Sequence, residues 1–218
     1  MDSATLFNLN DPLFHELFHT CRYPWEALNK LLAFLEKKGL GRIEVSLPEG
    51  VHLDKREHIS IGRGTVVEPG SYIQGPCFIG KNCQIRHGAY IRGGALIGDG
   101  CVVGHATEVK HSIFLPNAHA PHFNYVGDSI LGGGVNLGSG TTCANLRLDR
   151  KKIIFKIGEE RIDTGMEKLG CIIGDGAQIG CHCLLNPGTL VGKGVLSYPS
   201  VHLHGVISEN SVVKRGSK

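Results

Sequence analysis

Branched aliphatic residues recur at every sixth position along most of the chain. Ile61, Val67, Ile73, Ile79, Ile85, Ile91, Ile97, Val103 and Val109 follow one another without a break, and the pattern returns at Leu131 and Leu137 and again at Ile173, Ile179, Leu185 and Val191. Two residues before each aliphatic from Val67 to Val109 stands a small side chain, in turn Thr65, Ser71, Cys77, Cys83, Ala89, Ala95, Cys101 and Thr107. Neither a helix of period 3.6 nor a sustained strand of period 2 produces this spacing. A short strand and a tight turn repeated every six residues does. Each hexad then supplies one side of a parallel β-helix, with the aliphatic and the small residue pointing inward and glycine at corners that need a positive φ. Three sides make a coil stacked about 4.8 Å from the next. The hexads that keep register amount to about five coils.

Two kinds of segment depart from the lattice. Residues 1–42 read as a helical appendage. Asp11-Pro12 offers an N-cap and a first helical position for a short helix carrying Leu13, Phe14, Leu17 and Phe18; Pro24 opens a second, with Trp25, Leu28, Leu31, Leu32 and Leu35 on one face, closing near Gly39. Such an appendage either caps the first coil, as terminal units of solenoids do, or forms an interface. Within the β-helix, residues 43–218, register breaks twice. Residues 111–125 are expected to leave the wall as a loop. Residues 147–170 are expected to leave it as a β-hairpin about Gly158, with Lys151-Lys-Ile-Ile-Phe-Lys-Ile on one side and Arg161-Ile-Asp-Thr on the other. Loops projecting from a rigid scaffold are where function concentrates.

Composition narrows the class. Glycine supplies 31 of 218 residues and aromatics only 6%, which suits a core of small and aliphatic side chains. A hydrophobic content of 41% excludes a disordered chain, and a net charge of +3 is too small to argue for a nucleic-acid partner. No apolar run approaches the roughly 18 residues of a membrane span, and residues 1–10 lack the features of a secretory signal, so a cytoplasmic protein without a membrane partner is expected. Cys77, Cys83, Cys101, Cys171 and Cys183 fall on the small inward slot and Cys143 on the aliphatic one, as packing thiols. In Cys181-His-Cys183 the lattice sends Cys183 inward and its neighbour outward, which argues against a metal clip.

Candidate chemistry lies where charge meets the lattice. Arg92 and Lys110 each follow an inward aliphatic and stand one coil apart. Stacked about 4.8 Å apart, they would repel by roughly 3 kcal/mol at an effective dielectric near 20, unless an anion such as phosphate sits between them or both splay into solvent. Glu108 adjoins Lys110, and His122 and Tyr125 follow in the first break. An imidazole oriented by a carboxylate is the side-chain base suited to neutral pH. His87 and His105 also stand one coil apart, and chelation of a metal by that pair is an open alternative.

The stretches Gly104-His-Ala-Thr-Glu-Val-Lys-His-Ser-Ile, Pro121-His-Phe-Asn-Tyr-Val-Gly-Asp-Ser and Gly134-Val-Asn-Leu-Gly-Ser-Gly-Thr-Thr-Cys-Ala-Asn-Leu-Arg carry a more specific signal. Over about residues 45–200 the chain resembles the acetyltransferase half of the glucosamine-1-phosphate acetyltransferase / N-acetylglucosamine-1-phosphate uridylyltransferase family, in its archaeal sugar-1-phosphate nucleotidylyltransferase/acetyltransferase form. The resemblance implies a left-handed β-helix, a homotrimer with sites between subunits, and acetyl-CoA as co-substrate with no metal required. It makes His122 the general base and Glu108 the acid that orients it. Arg92, Lys110, Tyr125, Asn136 and Lys151 become contacts to an amino-sugar phosphate. Asn145 falls at the acetyl and pantetheine end, with backbone N–H groups at Ala144 and Asn145 facing the oxyanion. Leu146 and Arg147 depart from the bacterial pattern. Residues 1–42 cannot supply the family's α/β nucleotidyltransferase domain, and the segment after Val213 reads as a short basic tail. The expected activity is N-acetylation of a hexosamine 1-phosphate. Two alternatives are a sugar-phosphate binding module partnering a separate nucleotidyltransferase and an acyltransferase acting on a nucleotide sugar.

Overall fold

A computed structural model describes residues 2–216; part of the basic tail, residues 217–218, lies outside them. The chain winds into a three-sided prism of parallel sheets, each with eight strands. The first face runs from Ile59–Ile61 to Val206–Ile207, the second from Val66–Val67 to Val212–Val213, and the third from His52–Asp54 to His202–Leu203. Each strand pairs with its counterpart one coil on, so that Ile61 lies beside Ile79 and Ile79 beside Ile97. The inward aliphatics and small residues form one continuous buried core. Burying each Ile or Leu there contributes about 1.5–3 kcal/mol. Eight strands per face exceed the expected five coils because the outer coils fill aliphatic slots irregularly: Ser197 sits between Ile179 and Val213.

Residues 111–125 do not leave the wall, contrary to the sequence expectation. Ser112–Phe114, His119–His122 and Tyr125–Gly127 are wall strands on the first, second and third faces. Val103 pairs with Ala120, Val109 with Val126 and Ile97 with Phe114. This coil is one residue shorter than its predecessor. The shortening falls at the corner after Lys110, where His111 takes φ 46°. Phe114 and Ala120 therefore occupy aliphatic slots that a count of strict hexads misses.

The departure at 147–170 is an antiparallel hairpin of Ile154–Ile157 with Glu160–Asp163. It folds back toward the helices, where the Phe155 ring stacks on Trp25 at 4.6 Å between centroids. The helices are α1 (Ser3–Leu6), α2 (Pro12–Phe18) and α3 (Glu26–Lys37). At α2 the Asp11 carboxylate accepts from the Leu13 N–H, with Pro12 in the first turn, as the sequence predicts. The helices do not cap the first coil. They lie along the first face, where outward Leu96, Ile113, Ile130, Ile172 and Leu190 join Phe14, Leu31, Leu35 and Phe155 in a second apolar cluster. Asp175 fastens this arrangement by accepting from the Asn8 N–H at 2.6 Å and the Gly133 N–H at 2.7 Å. Burial pushes its carboxyl up.

Candidate functional site

With the first face covered, the chemistry-bearing residues gather on the third. Its outward row reads His52, Tyr72, Tyr90, Glu108, Tyr125 and Thr142, each beside the next. Beyond this row the chain turns toward the first face, and the corner carries Arg92 and Lys110 two residues on and Asp128 and Asn145 three residues on, on successive coils. The 147–170 excursion opens from the same corner, its mouth closed by the Leu169 N–H donating to the Asn145 carbonyl at 2.9 Å.

Arg92 and Lys110 do not form a bare cation pair. Arg92 Nη1 donates to Glu108 Oε1 at 2.7 Å, in a pair whose side chains are 40% and 32% exposed. Lys110 Nζ donates to Asp128 Oδ2 at 2.9 Å, with side chains 25% and 7% exposed. Asp128 also accepts from His111 Nδ1 at 3.0 Å and from the Asn145 amide. Burial pushes the Asp128 carboxyl up, but the hydrogen bonds from His111, Lys110 and Asn145 outweigh it and hold the group below its ordinary value. The Glu108 hydrogen bond raises Arg92, which keeps its charge in any case. Tyr125 is raised by its own burial and by the Glu108 and Asp128 carboxylates, so its phenol stays protonated, within hydrogen-bonding reach of Asn145.

His122 ends a second-face strand opposite His105, next to the corner that leads into the Tyr125 strand. Its backbone N–H donates to Asn124 Oδ1, and the buried Asn124 amide donates in turn to the Gly138 carbonyl. Gly104 permits the close approach of the neighbouring coil, because a Cβ there would overlap the Pro121 carbonyl. Among the described residues the His122 ring has no hydrogen-bond partner, so Glu108 does not orient it as expected; Arg92 holds that carboxylate instead. Asn136 lies on the second face between His119 and Gln178, away from Arg92 and Lys110. Lys151 is exposed on the excursion. The Ala144 N–H donates to the Leu185 carbonyl at 3.0 Å, so the ladder uses the group expected to face an oxyanion.

The His87 and His105 rings stack at 5.6 Å, and each directs Nδ1 at a backbone carbonyl. Cys183 is buried and Cys181 exposed, on opposite sides of the wall. The six lattice cysteines are buried free thiols. Sequence reasoning missed Asp128 and His111. The only signal for Asp128 was its place eighteen residues beyond Lys110, although the shortened coil sets Gly127 beside Lys110 and Asp128 one residue past it.

The family described as GMPPB C-terminal domain matches residues 73–160. The bifunctional sugar-1-phosphate nucleotidylyltransferase/acetyltransferase of Sulfurisphaera tokodaii is 39% identical over 92 residues, 42% of this chain and 23% of that protein. A bifunctional protein GlmU of Methanococcus maripaludis is 36% identical over 179 residues, 80% of this chain and 41% of that protein. Over these stretches the chain is similar to both bifunctional proteins. This hexapeptide-repeat chain spans less than half the length of those two relatives. Among solved structures, the UDP-N-acetylglucosamine acyltransferase of Francisella novicida aligns with a TM-score of 0.41 at 15% identity, over 74% of this chain and 62% of that one. Where the repeat chain departs from the bacterial pattern, Leu146 bridges to Lys168, and Arg147 makes two hydrogen bonds to Asp149, both at 2.7 Å.

Proposed function

We propose that the chain is an acetyl-CoA-dependent N-acetyltransferase acting on a hexosamine 1-phosphate. The observation that carries this reading is the corner beside the third face, where a His122 imidazole with no hydrogen-bond partner among the described residues and a solvent-accessible Arg92–Glu108 pair stand on a chain similar to a protein named as a nucleotidylyltransferase/acetyltransferase. An exposed ion pair contributes only about 0–1 kcal/mol. The phosphate of the acceptor therefore replaces Glu108 on Arg92 at little cost, with Lys151 as a further cation from the excursion. The freed Glu108 accepts from His122 Nδ1–H and leaves Nε2 as the base. The sugar amine attacks the thioester carbonyl and gives its proton to Nε2. The tetrahedral intermediate expels the thiolate of coenzyme A, which takes that proton. A thioester is reactive enough for this without a metal. The protonated Tyr125 serves as a donor to the sugar, and the neighbouring groove of about 570 Å³, lined by Ala144, Leu146, Leu184 and Pro187, suits the pantetheine arm.

A convex prism does not bring Asn136 and Arg92 to one pocket. The second face of another copy closes the site, in a homotrimer. The segment that reaches outward is the excursion near fully exposed Leu148, since residues 111–125 stay in the wall.

Free thiol released from acetyl-CoA, measured with glucosamine 1-phosphate, galactosamine 1-phosphate and a nucleotide-linked amino sugar, tests the reading. Release with a 1-phosphate is expected, and His122→Ala lowers it about 10²–10⁴-fold while acceptor binding stays within about twofold. Release only with the nucleotide sugar moves the acceptor class. No release with any acceptor overturns the enzyme and favours a sugar-phosphate binding module partnering a separate nucleotidyltransferase, a reading that the pairing of both Arg92 and Lys110 supports.

A further inference from the structure

Asp128 gathers more of the corner than any other side chain in it. Its carboxylate accepts from Lys110 Nζ at 2.9 Å, from His111 Nδ1 at 3.0 Å and from the Asn145 amide, and these donors come from two separate coils. Its backbone is engaged too: the Asp128 N–H donates to the Lys110 carbonyl at 2.9 Å, and the Asp128 carbonyl accepts from the Gly170 N–H at 2.8 Å, where the excursion re-enters the wall. Only 5% of the residue is exposed. An anion approaching Lys110 meets a buried carboxylate already in place, whereas one approaching Arg92 meets a more exposed guanidinium whose partner carboxylate is itself partly exposed.

We propose that Asp128 is a positioning residue that withholds Lys110 from anion binding and uses it, with His111 and Asn145, to fix the mouth of the 147–170 excursion, leaving Arg92 as the cation of this corner that takes phosphate. The inference rests on reading the third face as an anion site and goes beyond it by separating two cations that the lattice makes equivalent. Asn145 is thereby held in place beside Tyr125, at the end of the site where the acyl group arrives.

Calorimetric titration with inorganic phosphate and with glucosamine 1-phosphate tests this independently of turnover. Arg92→Gln weakens binding about tenfold or more, the loss expected of a charge-assisted contact. Lys110→Gln, whose amide still donates to Asp128, changes it by less than about twofold. Asp128→Asn tightens phosphate binding severalfold by releasing Lys110, yet lowers kcat of thiol release because Asn145 loses its anchor. A merely structural residue would not move affinity and kcat in opposite senses. Labelling with an acetylating N-hydroxysuccinimide ester, read by mass spectrometry, is a second measurement that needs no folded variant: in the wild-type protein Lys110 is protected and Lys151 reacts quickly. Equal loss of phosphate binding in Lys110→Gln and Arg92→Gln, or Lys110 labelling as fast as Lys151, overturns the proposal. Absence of thiol release in the wild-type protein would sink the acetyltransferase reading while leaving the binding and labelling results to decide this one.

Discussion

Arg92–Glu108 and Lys110–Asp128 are the same device built twice, one coil apart, and the two copies differ in burial. Both join a corner cation to a carboxylate at 2.7–2.9 Å. The first is partly exposed at both side chains, where side-chain entropy and hydration cancel much of the attraction. The second sits under the excursion, where breaking one side strands a buried charge. Burial, not distance, separates a replaceable contact from a fixed one.

The contrast is most directly broken through stability. Lys110→Met leaves Asp128 with His111 and Asn145 alone and is expected to cost about 2–4 kcal/mol, read from urea unfolding midpoints. A loss below about 1 kcal/mol would make the two pairs alike. The acid limb comes next. Asp128 is held below its ordinary value when folded, so the unfolded chain takes up the proton first as pH falls. The stability it contributes is complete above the unfolded value, near 3.9, and is lost as pH drops through the folded one. Unfolding midpoints measured from pH 7 to pH 2.5 should fall less steeply in Asp128→Asn than in wild type; parallel curves would remove Asp128 from the account. The smallest effect belongs to the exposed pair. Arg92→Gln should change stability by less than about 1 kcal/mol, and the difference should shrink in 1 M salt.

The interior was legible in the sequence because each hexad is a local unit: Ile61 through Val109 lie in the buried apolar core, and their small partners are buried with them, as the spacing requires. The helices' resting place was legible but unread. Leu96, Ile113, Ile130, Ile172 and Leu190 form an apolar row between small and aliphatic positions of the first face, and such a row needs a cover. The break at 111–125 misled because Phe114 and Ala120 in aliphatic slots, with one corner shortened, look like a loop when only the strict period is counted. At the candidate site, charge spacing singled out Arg92 and Lys110 but not the carboxylates that pair with them. Glu108 turning to Arg92 rather than His122, and Asp128 closing over Lys110, depend on side-chain choices made across coils.

The sequence alone therefore determined the prism, its inward side chains, the packing role of its cysteines and the residues that the wall does not need for itself. Tertiary structure decided which face the helices covered, that residues 111–125 remained wall, and which carboxylate met which cation. The reason is range: a hexad's conformation follows from its own turn and its own aliphatic, whereas an ion pair's strength follows from what else is buried around it.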